Sequence, residues 1–366
     1  MNELSNIVFE QADRLFKQHA TKDKLAAADR GEWPESLWHA VEEAGLPLAL
    51  VPEENGGVGL GPVDGANLIR RAAYYSVPLP LAETMVANQL WVEVGGEVVT
   101  GSITLAPSNP RDRITLTRKG NEVVLHGTAH YVPWGLQCEN ALVFARDEAD
   151  RGFLCLAPRD QSRPNKGRRN IAYEPRDQVN FEGVALPANR VKSAPERLQR
   201  NELLPYGAAI RVQQMIGGME RCLDHALSYA NERVQFGRPI GKFQAVQHML
   251  AVAAGHFAAA SAAADAMLES NNMADDLFAV AIGKSRAGEA AGQVAATCHQ
   301  VHGAMGFTQE HPLHFATRRL WAWRDEWGAE PYWQEWIGRT VCRQGGEALW
   351  PSLADRHDLS ETANLP

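Results

Sequence analysis

The residues best suited to chemistry lie in the last third of the chain. In ERVQFGRPIGKFQAVQHMLA (232–251) Arg233 closes a helical run, an aromatic and a Gly/Pro reversal follow, and a new helix opens with Gln244. A guanidinium held at such a corner presents a planar fork that donates two hydrogen bonds to a pyrophosphate. Taken alone, the segment is equally an ordinary helix–helix connection. A second segment, CHQVHGAMGFTQEHPLH (298–314), ends a helix at Gln300, and Gly303 and Gly306 bring backbone close to whatever lies outside. It carries two i, i+3 histidine pairs, His299/His302 and His311/His314. Helical zinc sites use an HExxH spacing or a third ligand with carboxylate support. Capping and packing explain these pairs at least as well, and no metal is expected.

Two other features need weighing. GGVGLG (56–61) has the look of a phosphate cradle, but Pro62 stands where the dinucleotide fingerprint needs glycine and no strand–turn–helix surrounds it. A Gly-rich link between helices is expected there. Half of the ten tryptophans fall between 321 and 336: Trp321, Trp323, Trp327, Trp333 and Trp336. Aromatic packing between the last helices and an oligomer interface are both open readings.

The elements that must position these residues change texture twice along 366 residues. Residues 1–98 read helical, with Pro34 opening one helix, Val63–Tyr75 forming a second and Ala82–Val92 a third. Residues 99–195 read as strands: ITLTRKGNEVVLHG (114–127) is a hairpin with a Lys119–Gly120–Asn121 turn, and ALVFAR (141–146) and GFLCLAP (152–158) follow. A polar stretch, RDQSRPNKGRRN (159–170), separates them from QVNFEGVALP (178–187). Residues 196–366 return to helices, beginning with the stripe Met215, Met219, Cys222, Ala226 and Ala230. The order helices, strands, helices excludes a doubly wound sheet and a βα barrel.

Lys and Arg number 36 against 44 Asp and Glu, a net charge of −8 that lacks the basic footprint of a nucleic-acid binder. The five cysteines form no CxxC pair, which argues for a reducing compartment and against disulfides or structural zinc. The first residues show no basic region before an apolar core, so no signal peptide is expected. The Ala-rich run 251–267 is interrupted by His256, Ser261 and Asp265, and is expected as a packed helix. A cytoplasmic location is the expectation.

RVQFGRPIG and QVHGAMGF, in this order within a helical bundle, resemble the acyl-CoA dehydrogenase family of flavoproteins. The likeness runs from about 33 to 340 and includes LWHAVEEAGLPLALVPEENGGVGLG (37–61), GTAHYVPWG (127–135) and FEGVALPANRV (181–191). It implies an α+β, mainly α fold: an N-terminal helical domain, a β-barrel-like middle and a C-terminal four-helix bundle. It implies FAD between them, shared across a subunit boundary of a homodimer or homotetramer. Arg233, Val234, Gln235 and Phe236 would then approach the FAD pyrophosphate of a neighbouring subunit. Phe243 and Gln244 match a further contacting pair, and Gln300, Val301, His302, Gly303 and Ala304 match the stretch near the adenosine. Tyr131 and Val132 stand where the family often packs a Trp on the flavin.

The chemistry implied is α,β-dehydrogenation of an acyl-CoA thioester to a trans-2-enoyl-CoA, with electrons leaving to an electron-transferring flavoprotein. Such a reaction needs a carboxylate desolvated enough to raise its pKa within reach of the α-carbon. Here the chain departs from the family. Ungapped counting from Gly306 puts Trp327 where the family's base stands in a Tyr-Glu-Gly-Thr turn, with Gly328 after it. A one-residue shift makes Glu326 the base, with Asp325 second. A solvated charge cluster with Arg318, Arg319 or Arg324 is the plainer alternative. The family's other base position, on the first bundle helix, falls at Gly207 and Ala208. Such gaps equally suit a non-catalytic or half-site subunit that completes a second acyl-CoA dehydrogenase chain. A nitroalkane-oxidising flavoenzyme of the same fold is a third possibility.

Overall fold

A computed structural model describes residues 3–120, 122–270 and 272–355. The N-terminal helices are α1 (Glu3–His19), α2 (Lys22–Arg30), α3 (Glu35–Glu43), α4 (Pro62–Tyr74) and α5 (Leu81–Glu93). Pro34 and Pro62 sit at helix starts, where a missing N–H costs nothing. Helix α3 buries Leu37, Trp38 and Val41 on one face and gives way to Gly45 in a left-handed conformation. Helix α5 is buried nearly all round, Glu83, Thr84 and Asn88 included, the signature of a helix inside a core. The Gly-rich 56–61 segment is a loop into α4, as a helix link requires.

The middle third forms β1 (Ile103–Ala106), β2 (Thr115–Lys119), β3 (Glu122–His126), β4 (Thr128–Pro133), β5 (Asn140–Arg146), β6 (Gly152–Pro158), β7 (Arg163–Arg169), β8 (Pro175–Asn180), β9 (Val184–Pro187) and β10 (Val191–Ser193). One sheet runs β10-β6-β5-β2-β3-β9, with β1 parallel to β5, and the other runs β4-β8-β7. Both enclose a single core that includes Leu125, Val132, Val143, Cys155 and Phe181. The β2–β3 hairpin pairs Lys119 with Glu122, and Asn121 of its expected turn lies outside the described residues. The polar stretch expected to be a separator contains strand β7, antiparallel to β8. That strand lies at the edge of its sheet and is made of Arg, Pro, Asn, Lys and Gly, the charged composition by which edges avoid further pairing, so no apolar pattern betrays it.

The last part comprises α6 (Glu196–Asn201), α7 (Leu204–Glu232), a hairpin of β11 (Val234–Gln235) and β12 (Arg238–Pro239), then α8 (Gln244–Ala266), α9 (Leu277–His302), α10 (Leu313–Asp325), α11 (Glu330–Gln344) and α12 (Gly346–Asp355). Asp276 caps α9 by accepting from the Ala279 N–H at 2.9 Å. Helices α7 to α10 pack together as the bundle. Helix α8 departs from the packed helix expected of its sequence. Only 22% of its apolar window is buried inside the chain, and Val252 is exposed. By length and composition it is the one helix among the described residues able to cross a membrane.

The N-terminal helices and the bundle share one core, which also takes in Ile103, Leu105, Leu142, Phe144, Leu154 and Leu156 from one face of the larger sheet, while a second core lies between the two sheets. Their seam is tight where Gly217 of α7 meets the Arg70 carbonyl of α4, which a Cβ at 217 would strike. Arg70 also donates from Nε to Gln213 and from Nη2 to Asp265, each at 2.7 Å. Gly217→Ala is therefore expected to cost about 1–3 kcal/mol through overpacking, measured by urea unfolding. An unchanged midpoint would show that the seam yields.

Candidate active site

Strand β4 supplies one wall of a cleft of about 490 Å³ between the sheets and the bundle. Its pairing with β8 slips between Ala129 and Val132, and Tyr131 takes a left-handed conformation, φ 59°. The bulge turns Tyr131 out into the cleft, half exposed, and Val132 inward into the sheet core. Ser108 holds the neighbouring loop on this bulge by sharing its hydroxyl between the His130 and Tyr131 carbonyls, at 3.1 and 3.0 Å. Pro133, Ile171 and Trp321 complete the apolar walls, with Asp325 and Glu326 at the end of α10.

Glu326 is caged. Arg176 of β8 donates from Nε and Nη2 to its two oxygens, each at 2.8 Å, and Arg211 of α7 donates from Nε at 2.7 Å. Asn170 adds a fourth bond at 3.0 Å. The cage continues into a buried ionic network: Glu174 accepts from Arg176, Arg319 and the Trp323 indole, and Arg211 pairs with buried Glu83 of α5 at 2.9 Å. Three arginines balance three glutamates and tie the N-terminal helices, the sheets and the bundle together.

Burial alone would raise the Glu326 pKa, but the guanidiniums of Arg176 and Arg211 hold it down to about 2. A carboxylate so stabilised as an anion is the opposite of a base tuned to remove a proton near neutral pH. The cage speaks against the base role expected of Glu326, and its partners are not those of the expected charge cluster. The nearby arginines are engaged elsewhere: Arg318 with Asp29, Arg319 with Glu174, Arg324 with Glu330. Glu326's partners instead come from positions 150 and 115 residues away in sequence. Asp325 lies at the exposed rim of the same cleft, 4.0 Å from Arg324. Partial desolvation raises its pKa, and the Arg324 charge opposes the shift.

Trp327 is buried beside them with φ 56°, a strained setting for a bulky residue. Its surroundings over-determine it. The Trp333 indole donates to its carbonyl at 3.1 Å, and Lys284 donates to the carbonyls of Arg324 and Gly328, both at 2.7 Å. Its ring seats on Gly207, one turn before Arg211 on α7, so that two consecutive residues of one turn dock on one helical face. Trp323, Trp333 and Trp336 are buried too. Packing within the chain, not an oligomer interface, accounts for four of the five clustered tryptophans.

The hinge residues stand elsewhere. Arg233, Val234, Gln235 and Phe236 form an exposed hairpin corner, Phe236 at 92% exposure. Phe243 is half-buried edge-on to Phe236 with Arg238 over its ring, and Gln244 is exposed at the start of α8. Gln300, Gly303 and Ala304 are exposed, while Val301 and His302 are buried. Tyr229 near the end of α7 stacks on His302 at the end of α9, with centroids 4.6 Å apart. Both hinges thus share one end of the bundle, but neither lines the Tyr131 cleft. His302 Nδ1 bonds the Cys298 carbonyl at 2.7 Å, and His299 Nε2 bonds Thr317 at 2.9 Å. Among the described residues no three His, Cys, Asp or Glu side chains are grouped to hold a metal.

The description "Acyl-CoA dehydrogenase, N-terminal domain" matches residues 3–97, and "Acyl-CoA dehydrogenase, C-terminal domain" matches 200–324. The chain is 25% identical over 323 residues to acyl-CoA dehydrogenase IpdE2 of Mycolicibacterium smegmatis, covering 87% of this chain and 93% of that one. Among solved structures it is similar to the ChsE4-ChsE5 complex from Mycobacterium tuberculosis, with TM-score 0.83, 21% identity, and 93% and 98% of the two chains covered. It is also similar to the Tcur3481-Tcur3483 steroid ACAD G363A variant, with TM-score 0.81, 25% identity, and 94% and 98% covered.

Proposed function

This chain belongs to the acyl-CoA dehydrogenase family, and we propose that it works there as a half-site subunit, completing an FAD-dependent dehydrogenase whose proton-removing carboxylate is supplied by a second chain. The observation that carries this is the turn at 326–328: Glu326 is locked as an anion and Trp327 fills the ground beside it. Two of the similar structures are named as pairs of gene products, which supports a heteromeric arrangement.

The cleft fits a flavin. Tyr131, Pro133, Ile171 and Trp321 offer flat apolar walls, with Arg168 and Arg169 at its border. FAD bound there would supply the acceptor for the β-hydride of the acyl thioester and the link to an electron-transferring flavoprotein. The part of this chain is positional. Arg233 and Gln235 stand out at the bundle corner, free to reach a pyrophosphate held by a partner, and the backbone at Gln300–Ala304 lies beside them. The exposed apolar side of α8 gives that partner a surface to bury. A cytoplasmic setting belongs to the same proposal and is favoured by five free cysteines.

A self-sufficient homo-oligomer is the second reading, favoured by the raised proton affinity of Asp325 at the cleft rim. The two separate cleanly. The half-site subunit, purified alone, shows no anaerobic flavin bleaching with acyl-CoA and gains it with a co-expressed partner. Bleaching by the chain alone would overturn the half-site proposal. If that bleaching also falls at least 100-fold in Asp325→Asn with FAD content unchanged, Asp325 is the base.

A further inference from the structure

A second cleft, about 480 Å³, adjoins the first. Ser108, Asn109 and Pro110 border both. Leu203, just before α7, and Leu204 at its start line this second cleft, and Gly207 stands one helical turn further on. On the opposite side Trp327 and Gly328 line the Tyr131 cleft, and Tyr332, just beyond, lines the other. The Trp327 ring, seated on Gly207 one turn from Leu204, lines the first hollow but not the second, and the two hollows share a common edge. A methyl group at 207 would overlap that ring, so the helix is notched to receive it. The Tyr332 hydroxyl, in the same wall, has no hydrogen-bond partner among the described residues.

We infer that Trp327 is a partition: its indole, seated in the Gly207 notch, divides one elongated channel into two clefts and keeps an acyl chain from threading between them. The turn is braced for that task. Glu326 is fastened to Arg176 and Arg211, the carbonyl of Gly328 to Lys284 and that of Trp327 to Trp333. A bulky residue kept at positive φ by so many anchors is a fixed wall rather than a swinging door. The choice of an acyl-CoA as the excluded occupant rests on the proposed function; the partition itself rests on the two clefts and the notch.

The test uses the full chain and octanoyl-CoA, titrated calorimetrically into wild type and Trp327→Gly. Opening the wall is expected to tighten binding at least threefold, and a smaller gain overturns the partition. Indole added to Trp327→Gly should refill the void and return binding toward the wild-type level; undiminished binding in saturating indole would mean general loosening and also overturn it. Should Trp327→Gly fail to fold, Trp327→Ala empties the same space without placing a β-branched side chain at the positive φ. The notch has its own check, because Gly207→Ala should lower the Tm in wild type but leave it unchanged or raise it in the Trp327→Gly background, where α7 gains from alanine. An equal loss in both would place the strain elsewhere and remove the seat from the proposal. Failure of the half-site proposal shows separately, as flavin bleaching by the wild-type chain without a partner.

Discussion

Glu326→Gln is expected to destabilise the chain by about 3–5 kcal/mol at pH 7, the cost of leaving buried guanidiniums without their counter-charge. The amide keeps the shape and one acceptor oxygen, so a loss of that size reports charge rather than packing. The acid profile gives an independent measure. Glu326 lies at about 2 in the folded chain against an ordinary 4.5. A depressed carboxylate contributes stability that is fully present above about pH 4.5 and is lost as pH falls through 2, about 3 kcal/mol in all. Buried Glu174, also lowered against the pull of its burial by Arg176 and Arg319, acts in the same direction. Urea unfolding at pH 7 and pH 3.5 should therefore show wild type converging on Glu326→Gln as the solution is acidified. Parallel curves would mean that the cage does not carry the charge assigned to it.

Arg233→Ala is expected to weaken FAD retention in the assembled complex by roughly 10- to 150-fold, the equivalent of about 1.5–3 kcal/mol for hydrogen bonds to a charged group. The chain itself should fold as before. Arg233 is exposed, and its structural role is met by backbone, its carbonyl accepting from the Ile240 N–H at 2.8 Å. The discriminating pair of measurements is visible absorbance of the purified complex and thermal unfolding of the isolated subunit. Full flavin content in the variant would remove the hinge from cofactor binding. A fallen Tm would turn it into an ordinary structural corner.

Most of the helical architecture is legible in the sequence because proline, glycine and apolar spacing are local signals. Pro34, Pro62 and Asp276 mark helix starts where the structure has them, and the Met215–Ala230 stripe is the buried face of α7. Strand β7 is hidden because its charged edge composition leaves no apolar pattern to read. The cage around Glu326 is hidden for a different reason. Arg176 sits in a strand and Arg211 in a helix, each unremarked locally, and only the packing of sheets on bundle brings them together. A buried arginine amid the small and apolar residues at the start of α7 was the available hint, since such a charge demands a partner. Tyr131, singled out by the family resemblance, lines the cleft, whereas its neighbour Val132 points into the sheet core, because the bulge cannot be read from residue types.

The core that unites α1 and α3–α5 with the bundle has a consequence for how the chain is made. Helix α5 ends at Glu93 and α7 begins at Leu204, with the whole of the sheets between them. On the ribosome the first five helices emerge long before the surface that covers them. At about 5–20 residues per second that interval is roughly 5–20 s. Throughout it the nascent chain carries the apolar side of α4 and all sides of α5, a helix buried nearly all round in the finished fold, uncovered, while the sheets close around their own interior. Synthesis of this protein should therefore lean on holding chaperones early, and a stalled or truncated product ending before α7 should aggregate rather than survive as a folded N-terminal fragment.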